Sequence, residues 1–564
     1  MRTERKTMPI GVDDFAKLIR GGYCFIDKTR FIKEILDGRS EVTLITRPRR
    51  FGKTLNLSML RYFFALENGE KNRELFAGLD IERAGEEYMR EQGSRPVVFL
   101  SLKGIQGPDY ALMQECLQEL LRTLYGRFRY LLESPALAED DKLFFQRIID
   151  KSANRGETQI SLKQLLAMLQ KHHGKEAVLL LDEYDAPIIS AWERGYYEDC
   201  IDFMRGFLSE ALKTNEALDF AVLTGVTRVS KESIFSGLNN LRVCSVLSER
   251  YSDIFGFTQA EADRLLAMCG LEEKSGDLKK WYDGYIFGSS EIYNPWSVIS
   301  FIDNDCKFQP YWLNSSGNSI LQVLLRQVDE QRCKELAGLL RMKDSPVNAL
   351  VDEGIIYPDI ENDENALYMM LLTTGYLKAV AKWQDRCSRW WCSLQIPNRE
   401  VLQAYEDEVL SKVAGRGNRV LLLSMLEAMT EGRTEVFQKQ MKRILRDMVS
   451  FHDTAQPESF YHGLLLGLSV WLEGRYRVES NRESGYGRFD IAFFPLREKM
   501  PGVILELKSV KTEEEMEEAA KAALSQIETK EYTAELARQG VTEAWKYGIA
   551  FCGKKMWLEQ PGLS

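Results

Sequence analysis

One stretch near the N-terminus constrains the fold more than any other, because residues 41–66 predict a buried strand, a tight loop and a helix. EVTLIT is an apolar run typical of a buried strand, and the apolar residues of LNLSMLRYFFAL recur at helical spacing. Gly52, Lys53 and Thr54 stand where the loop becomes the helix. Unpaired backbone N–H groups at a helix N-terminus attract anions. The triplet therefore indicates a phosphate-binding loop, in which Lys53 would reach the phosphates and Thr54 would hold Mg²⁺.

A departure from the full phosphate-loop motif weakens this signal. The first glycine of G-x-x-x-x-G-K-[ST] is replaced here by Arg47, and a bare GKT leaves open an ordinary strand–helix unit with an exposed lysine. The segment AVLLLDEYD, residues 177–185, strengthens the interpretation, since it predicts an apolar strand that ends in paired acids. Asp182 would complete the Mg²⁺ shell, and Glu183 would orient the attacking water.

Two further apolar runs extend the alternation of strands and helices. RPVVFLSL at residues 95–102 and DFAVLT at residues 219–224 predict strands. The alternation predicts a parallel α/β sheet with the site at its carboxyl edge. Thr224 or Thr227, at the tip of the last strand, would sense the γ-phosphate. Arg228 would stabilise the charge of the transferred phosphate or, with equal weight, pair with a carboxylate at the edge of the core.

Three segments carry a resemblance to a known family. TRPRRFGKT, LLLDEYDAP and TGVTRVSKESIFSGLNN resemble the prokaryotic AAA-ATPase-like family, whose phosphate loop has RPRRFGK in place of the usual first glycine. The resemblance implies ATP and Mg²⁺ as cofactors and a C-terminal nuclease-like domain of the PD-(D/E)XK type. It implies nucleotide contacts in the loop and at two strand ends: Arg49, Arg50, Phe51, Gly52, Lys53, Thr54, Asp182 and Thr224.

The C-terminal region carries a second set of candidate catalytic residues. RYRVE at 475–479, FDIAFF at 489–494 and GVILELKS at 502–509 predict three strands, and SGYGR between the first two predicts a turn. A helix that contains Gln526 and a strand at 547–552 follow. An Asp before one strand, a Glu-x-Lys in the next and a Gln in the following helix together resemble the PD-(D/E)XK nuclease pattern.

In that pattern the acids are Asp490 and Glu506, the lysine is Lys508 and the glutamine is Gln526. The two acids would hold Mg²⁺, which lowers the pKa of a bound water, and Lys508 would position or deprotonate that water near the scissile phosphate. Strand alternation puts residues 506 and 508 on the same side. The alternative is an exposed ion pair on an edge strand. One further acid normally completes such a site, and the sequence offers two candidates: Glu479 and Glu483.

Between the two candidate sites the sequence predicts helices and a winged-helix-like module. TQAEADRLLAM and DLKKWYDGY predict a helical lid, in which Trp281, Tyr282 and Tyr285 are expected in the core. LYMMLLTTGYLKAV predicts a helix and KWQDRCSRWWCSLQIP a Trp-rich hairpin. Such a module binds DNA or packs domains together, and the lack of a Lys/Arg run favours packing. The charged helical segment 402–449 predicts a linker.

Composition limits the class of protein. The 564 residues are 45% hydrophobic and 28% charged, which predicts a soluble globular chain of three or four domains. No apolar run reaches membrane-spanning length, which favours a cytoplasmic protein without a membrane partner. Lys and Arg total 74 against 84 Asp and Glu, a net charge of −10, so any contact with nucleic acid must be local.

The predicted fold class is a multidomain α/β protein in four parts. These are a P-loop NTPase domain with a parallel sheet (1–255), a helical lid (256–344), a winged-helix-like and helical linker region (345–449), and a restriction-endonuclease-like α/β domain (450–564).

Three functions follow from these predictions. The first is an ATP-driven or ATP-gated nuclease that acts on DNA rather than RNA, placed by the resemblance in defence or mobile-element biology. The second is an ATP-dependent switch whose nuclease-like domain only binds nucleic acid or a partner. The third is an assembly scaffold without nuclease activity. The complete set of acids, lysine and glutamine favours the first, and a homo-oligomer is compatible with all three.

Overall fold

A computed structural model gives the structure of the chain in two compact units. One contains Met1–Ser316 and Asn348–Glu400, and the other contains Gly317–Val347 and Val401–Ser564. The four-part division drawn from the sequence stays a prediction. The structure describes residues 7–228, 235, 240–312, 339, 346–351, 357–361, 363–405, 419–447, 461–462, 465, 468–472, 475–480, 483–484, 487–497, 499–530 and 532–561.

The first unit is built on a sheet of five parallel strands. The strands are Val42–Thr46 (β1), Val97–Ser101 (β2), Ala177–Asp182 (β3), Leu218–Gly225 (β4) and Leu241–Cys244 (β5). Their spatial order is β2-β3-β4-β1-β5, so the predicted parallel sheet is confirmed. β1, β3 and β4 lie in the middle and are almost wholly buried, which explains their continuous apolar sequences. β5 escaped prediction because it is short and lies half-buried at the edge.

Local signals set the ends of the helices around this sheet. The helix Arg155–His173 begins with a capping box in which Asn154 and Glu157 bind each other's backbone N–H, and it ends at Gly174 with a φ of +64°. None of the described helices is long and apolar enough to cross a membrane. The helices up to β4 are Phe15–Arg20, Arg30–Gly38, Lys53–Phe64, Gly69–Arg73, Asp80–Arg83, Glu86–Met89, Tyr110–Gly126, Glu139–Ile149, Arg155–His173, Ala186–Arg194 and Tyr197–Leu212.

The described residues of the region predicted as a helical lid form three α-helices and a short hairpin, and the sequence did not predict the hairpin. Tyr282 and Tyr285 are fully buried and Trp281 packs partly buried against the same core, as expected. In this region the helices are Gln259–Cys269, Ser275–Tyr282 and Pro295–Asp303, and the hairpin strands are Tyr285–Phe287 (β6) and Ser290–Ile292 (β7).

In the part of the chain that the structure describes next, one α-helix and three strands form a small module. The helix Glu364–Thr374 ends at Gly375, whose φ is +91° and where an added Cβ would lie 3.0 Å from Pro48 Cβ. The prediction that the helix continues to residue 380 is therefore wrong, because only glycine fits this left-handed turn. The strands Val347–Leu350 (β8), Lys378–Gln384 (β9) and Trp390–Gln395 (β10) form a sheet in the order β8-β10-β9, which includes the predicted Trp-rich hairpin.

The second unit contains a mixed five-stranded sheet. Its strands are Tyr476–Ser480 (β11), Ile491–Pro495 (β14), Gly502–Ser509 (β15), Ala544–Cys552 (β16) and Lys555–Glu559 (β17), in the order β11-β14-β15-β16-β17. Only β15 and β16 pair in parallel, joined through the helices Met516–Thr529 and Thr533–Arg538. A separate hairpin of Glu483–Ser484 (β12) and Gly487–Arg488 (β13) occupies the predicted turn.

Both faces of this sheet are covered by helices. On one face the helices Arg419–Thr430 and Thr434–Asp447, within the predicted linker, share a core with β15 and β16. On the other face the helix Met516–Thr529 passes directly over Gly548, where an added Cβ would lie 2.2 Å from the Ala520 carbonyl oxygen. The close approach requires glycine, and it places the helix beside the residue that pairs with Gly548, which is Glu506.

Candidate active sites

The carboxyl edge of the parallel sheet brings together three predicted residues. Asp182 ends β3, Thr224 lies near the end of β4, and Thr54 lies in the first turn of the helix after β1. Thr54 Oγ1 donates to Asp182 Oδ2 at 2.8 Å, and Thr224 Oγ1 donates to Asp182 Oδ1 at 2.6 Å. Two hydroxyls thus share the buried carboxylate of Asp182, which lies 128 positions after Thr54 in the sequence. Hydroxyl and carboxylate oxygens of this kind are ligands that Mg²⁺ accepts.

Lys53 lies inside the loop rather than on the surface. Its side chain is buried, and Nζ donates to the carbonyl oxygens of Arg47 and Pro48, each at 2.8 Å. Burial lowers the pKa of Lys53, while the charges of Glu183 and Asp182 oppose that shift. Lys53 is therefore not the exposed lysine of the alternative interpretation, and its contact with phosphate stays a prediction.

Arg47, which replaces the first glycine of the motif, is a buried structural residue. Its guanidinium donates to the carbonyl oxygens of Thr46, Cys244 and Tyr251 at 2.8, 3.0 and 3.1 Å. It also lies 4.9 Å from the ring centroid of Phe287, and burial lowers its pKa to about 10. Arg47 ties the loop to the edge strand β5 and the segment after it, a role that the sequence alone did not reveal.

The next three loop residues divide into exposed cations and a buried anchor. Arg49 and Arg50 are exposed, as a phosphate contact requires, and the Arg50 guanidinium lies 4.4 Å from the ring centroid of Trp296. Phe51 is fully buried, and its ring packs edge-on against Tyr285 at 4.9 Å. The ring of Phe51 therefore anchors the loop, and the predicted nucleotide contact of this residue stays a prediction.

The acids after β3 have different surroundings. Glu183 is partly exposed with a φ of +50°, and burial, followed by the charge of Asp182, raises its pKa. Asp185, which the sequence analysis did not assign, is fully buried and accepts bonds from Val226 N, Thr227 N and Thr227 Oγ1 at 2.8, 2.8 and 3.0 Å. The Thr227 hydroxyl thus faces Asp185, which leaves Thr224 as the sensor candidate beside Asp182.

Arg228 lies just after this segment and is partly buried. Its Nε is buried without a hydrogen-bond partner. Neither of its two predicted roles is tested by this arrangement, so both stay predictions.

In the second unit, strand register places two acids opposite each other. Ile491 of β14 pairs with Leu505 of antiparallel β15, so Asp490, just before β14, lies opposite Glu506 on the same face. Asp490 Oδ2 accepts a 2.8 Å hydrogen bond from Leu507 N. This bond links the two strands just beyond their last backbone pair. The predicted edge-strand alternative is wrong, because β15 is the central strand of the sheet.

The electrostatics of this pair point towards a cation. Glu506 is 2% exposed, and its Oε2 is buried without a hydrogen-bond partner. Burial, and then the charge of Asp490, raises the pKa of Glu506 to about 7, and Lys508 partly opposes that rise. Lys508 Nζ lies 3.6 Å from Glu506 Oε1 and remains one-third exposed. The three predicted residues therefore converge, and Lys508 faces the carboxylates from the solvent side.

Two further residues predicted for this site, Gln526 and Glu479, contact other side chains. Gln526 Nε2 donates to Tyr532 Oη at 3.2 Å, so its predicted catalytic role stays a prediction. Glu479 lies on β11, 3.1 Å from Arg477 Nε, and the side chain of Glu483 lies outside the described residues. The choice between these two acids thus stays open.

The residues present fit a divalent cation. Within the described residues no group of three or more His, Cys, Asp or Glu is close enough to hold a metal, and the acids that the structure brings together here are Asp490 and Glu506. A bound cation would partner the buried Oε2 of Glu506 and offset the like charge of Asp490 once Glu506 is ionised. Carboxylate oxygens are the ligands that Mg²⁺ prefers.

Comparisons with known proteins match both regions. Residues 9–235 match a family model described as "Predicted AAA-ATPase", and residues 456–561 match the PD-(D/E)XK nuclease superfamily. A protein of Azotobacter chroococcum mcd 1, named only as an uncharacterised protein in the vnfD 5' region, is 30% identical over 327 residues. That alignment covers 57% of this chain and 57% of the relative, so the chain spans little more than half of the relative's length.

Proposed function

We propose that this chain, in which an AAA-ATPase-like domain precedes a PD-(D/E)XK nuclease-superfamily domain, hydrolyses ATP and cleaves DNA with the help of Mg²⁺. The observation that carries the proposal is the convergence of Asp490, Glu506 and Lys508 on one face of β15. A place in the cytoplasm and a role in defence or mobile-element biology are parts of the same proposal.

Each residue of the nuclease site would have a separate task. Asp490 and Glu506 would hold Mg²⁺, which supplies charge neutralisation and a more acidic water. Lys508, one-third exposed beside Glu506 Oε1, would orient the attacking water against the phosphate and neutralise charge on the phosphate oxygens. Its position between the carboxylates and solvent suits a group that meets a substrate arriving from outside.

The nucleotide site would work through positioning and charge. Lys53 would exchange its bonds with the Arg47 and Pro48 carbonyls for a phosphate oxygen, and Thr54 and Asp182 would hold Mg²⁺. Glu183, next to Asp182 and partly exposed, would orient the attacking water.

One observation favours the second candidate function, a binding scaffold without cleavage. Residues 513–518 contain five glutamates, and every one is exposed. An acidic run repels the phosphate backbone unless it faces away from the substrate. Cleavage therefore has to be measured directly.

A cleavage assay separates the two functions. Purified protein is incubated with single-stranded DNA, duplex DNA and RNA, with and without Mg²⁺ and with and without ATP. The proposal expects Mg²⁺-dependent cleavage of DNA in preference to RNA. Binding without cleavage under every condition would support the scaffold instead.

The raised pKa of Glu506 predicts how stability depends on pH without metal. Its pKa of about 7 in the folded state exceeds the ordinary value of 4.5, so the folded protein holds a proton that the unfolded chain loses between these values. The free energy of unfolding should therefore fall as pH rises from 4.5 to 7, by roughly 3 kcal/mol from this group. Glu506→Gln should remove this fall and unfold at a higher temperature than the wild type at alkaline pH.

The measurement is thermal unfolding across pH in the presence of a chelator. Adding Mg²⁺ at alkaline pH should raise the unfolding temperature of the wild type more than that of Glu506→Gln, because the variant loses one of the two carboxylates that would hold the ion. Glu517→Gln, an exposed acid paired with Lys521, is the matched control and should follow the wild type. Identical pH curves for Glu506→Gln and the wild type would contradict the prediction.

A further inference from the structure

The hairpin of β9 and β10 concentrates exposed apolar surface. Among the described residues ten large hydrophobic side chains are exposed, and three of them lie on this hairpin: Val380, Trp383 and Trp390, at 41%, 38% and 42%. β9 is the edge of its three-stranded sheet, and its residues 380–384 are all exposed. Indole rings are stabilised by burial, so two exposed indole rings on one hairpin indicate a binding surface.

The same hairpin is locally basic. Residues 378–391 contain four cationic side chains and one anionic side chain, a net charge of +3 in a chain whose net charge is −10. The single acid, Asp385, is already engaged: Arg389 Nε donates to it at 2.8 Å. The patch is thus complementary to a polyanion, although no run of consecutive Lys or Arg announces it in the sequence.

The geometry combines the rings with the cations. Lys382 Nζ lies 4.3 Å from the ring centroid of Trp390. The two side chains share one face of the hairpin, because Lys382 pairs with Cys392 and Trp390 lies two residues before Cys392 on the same strand. Trp383 pairs directly with Trp391 on the opposite face of the hairpin. The hairpin therefore presents ring surface on both of its faces and an ammonium group beside one of them.

The turn that carries the arginines is ordered by Asp385. Its carboxylate accepts bonds from the backbone N–H groups of Cys387 and Arg389 at 2.8 and 3.0 Å and from Trp391 Nε1 at 3.2 Å. Arg386 and Arg389 are exposed at this turn. The backbone of the turn and the side chain of Arg389 are thus ordered by the fold before any ligand arrives, which reduces the entropy lost on binding.

We propose that the β9–β10 hairpin binds single-stranded nucleic acid. Bases stack on Trp383 and Trp390, and Lys382, Arg386 and Arg389 contact the phosphates. A single strand is favoured over a duplex because only unpaired bases offer their ring faces. The site contains none of the residues of the two candidate active sites, so it does not depend on whether the protein cleaves DNA. Of the two roles that the sequence left open for this module, the proposal takes nucleic-acid binding, and domain packing stays a prediction.

The test measures the anisotropy of a fluorescein-labelled oligodeoxythymidine titrated with the full chain, with a chelator present to prevent cleavage. The double variant Trp383→Ala/Trp390→Ala should bind about ten- to a hundredfold more weakly. The variant Trp383→Phe/Trp390→Phe should retain most of the affinity, because it keeps two rings for stacking. Trp557→Ala is the matched control, since Trp557 is also exposed at 37% but lies on β17 and donates to Glu559.

Salt dependence tests the cations separately. Lys382→Gln should reduce the slope of log affinity against log salt by about 0.7, the value for one phosphate contact on a single strand. A labelled hairpin duplex should bind more weakly than the single strand and respond less to the loss of the two tryptophans.

Several results would overturn the proposal. One is an unchanged single-strand affinity in the double alanine variant, and another is an equal loss in Trp557→Ala. A double alanine variant that keeps its affinity but loses self-association in light scattering would make the hairpin a contact between copies of the chain. A failed cleavage assay combined with Trp-dependent binding would instead reject the proposed nuclease and leave this inference standing.

Discussion

Glu506→Ala is expected to abolish nearly all nucleic-acid cleavage, by more than about a hundredfold. Loss of a residue that only supports a metal ligand costs up to about a hundredfold, so loss of a ligand itself should cost more. Glu506 has a buried oxygen without a hydrogen-bond partner, and Asp490, just before β14, is the acid that lies opposite it. The measurement is the single-turnover cleavage rate at saturating Mg²⁺.

The control for this prediction is that the Glu506→Ala variant stays folded. Removing one of two like-charged groups relieves repulsion with Asp490, so Glu506→Ala should unfold no earlier than the wild type. Glu517→Gln should cleave at the wild-type rate. Cleavage by Glu506→Ala within a few-fold of the wild type would reject the metal site and, with it, the nuclease function.

Lys508→Ala separates binding of the ion from the reaction. Lys508 is 3.6 Å from Glu506 Oε1 but is itself a cation, so its loss should leave Mg²⁺ affinity equal or slightly stronger, as measured by calorimetry. Cleavage should nevertheless fall, because the lysine acts on the water and the phosphate. Weaker Mg²⁺ binding in Lys508→Ala would show that the lysine only holds the carboxylates in place.

The sequence predicted those parts of the structure in which one short segment determines both the secondary structure and the functional side chains that it carries. The loop before Lys53 and the acid Asp182 follow apolar strands, and parallel pairing brings strand ends together. Likewise, Glu506 and Lys508 share a face because strands alternate. Their proximity to Asp490 additionally required the register of β14, which the sequence indicated only through resemblance.

The parts that could not be predicted depend on contacts between distant segments. In the sequence, Arg47 is only a departure from the phosphate-loop motif. In the structure its guanidinium donates to three carbonyl oxygens, two of which belong to segments about 200 positions away. The basic hairpin around Trp383 lacks a run of cations, since strand pairing rather than sequence gathers its charges. Burial of Phe51 depends in the same way on the hairpin β6–β7, which the sequence did not predict.

Lys53→Ala is expected to weaken ATP binding by at least ten- to a hundredfold. A charge-assisted bond to phosphate contributes about 1.5–3 kcal/mol, and alanine cannot form this bond. The measurement is calorimetric titration with ATP and Mg²⁺. Lys175→Ala, at the opposite edge of the same sheet, is the matched control and should bind ATP normally, since Lys175 precedes β3 and is exposed.

A second variant distinguishes loss of binding from loss of the loop itself. Glu183→Gln keeps the size of a partly exposed side chain and removes only its charge, so ATP should still bind while hydrolysis slows. Asp182→Ala should instead disturb both, because two hydroxyls, Thr54 and Thr224, lose their shared acceptor. If Lys53→Ala bound ATP as tightly as the wild type, the loop would not be a phosphate site. The buried lysine would then only close the loop through the two carbonyls that it already contacts.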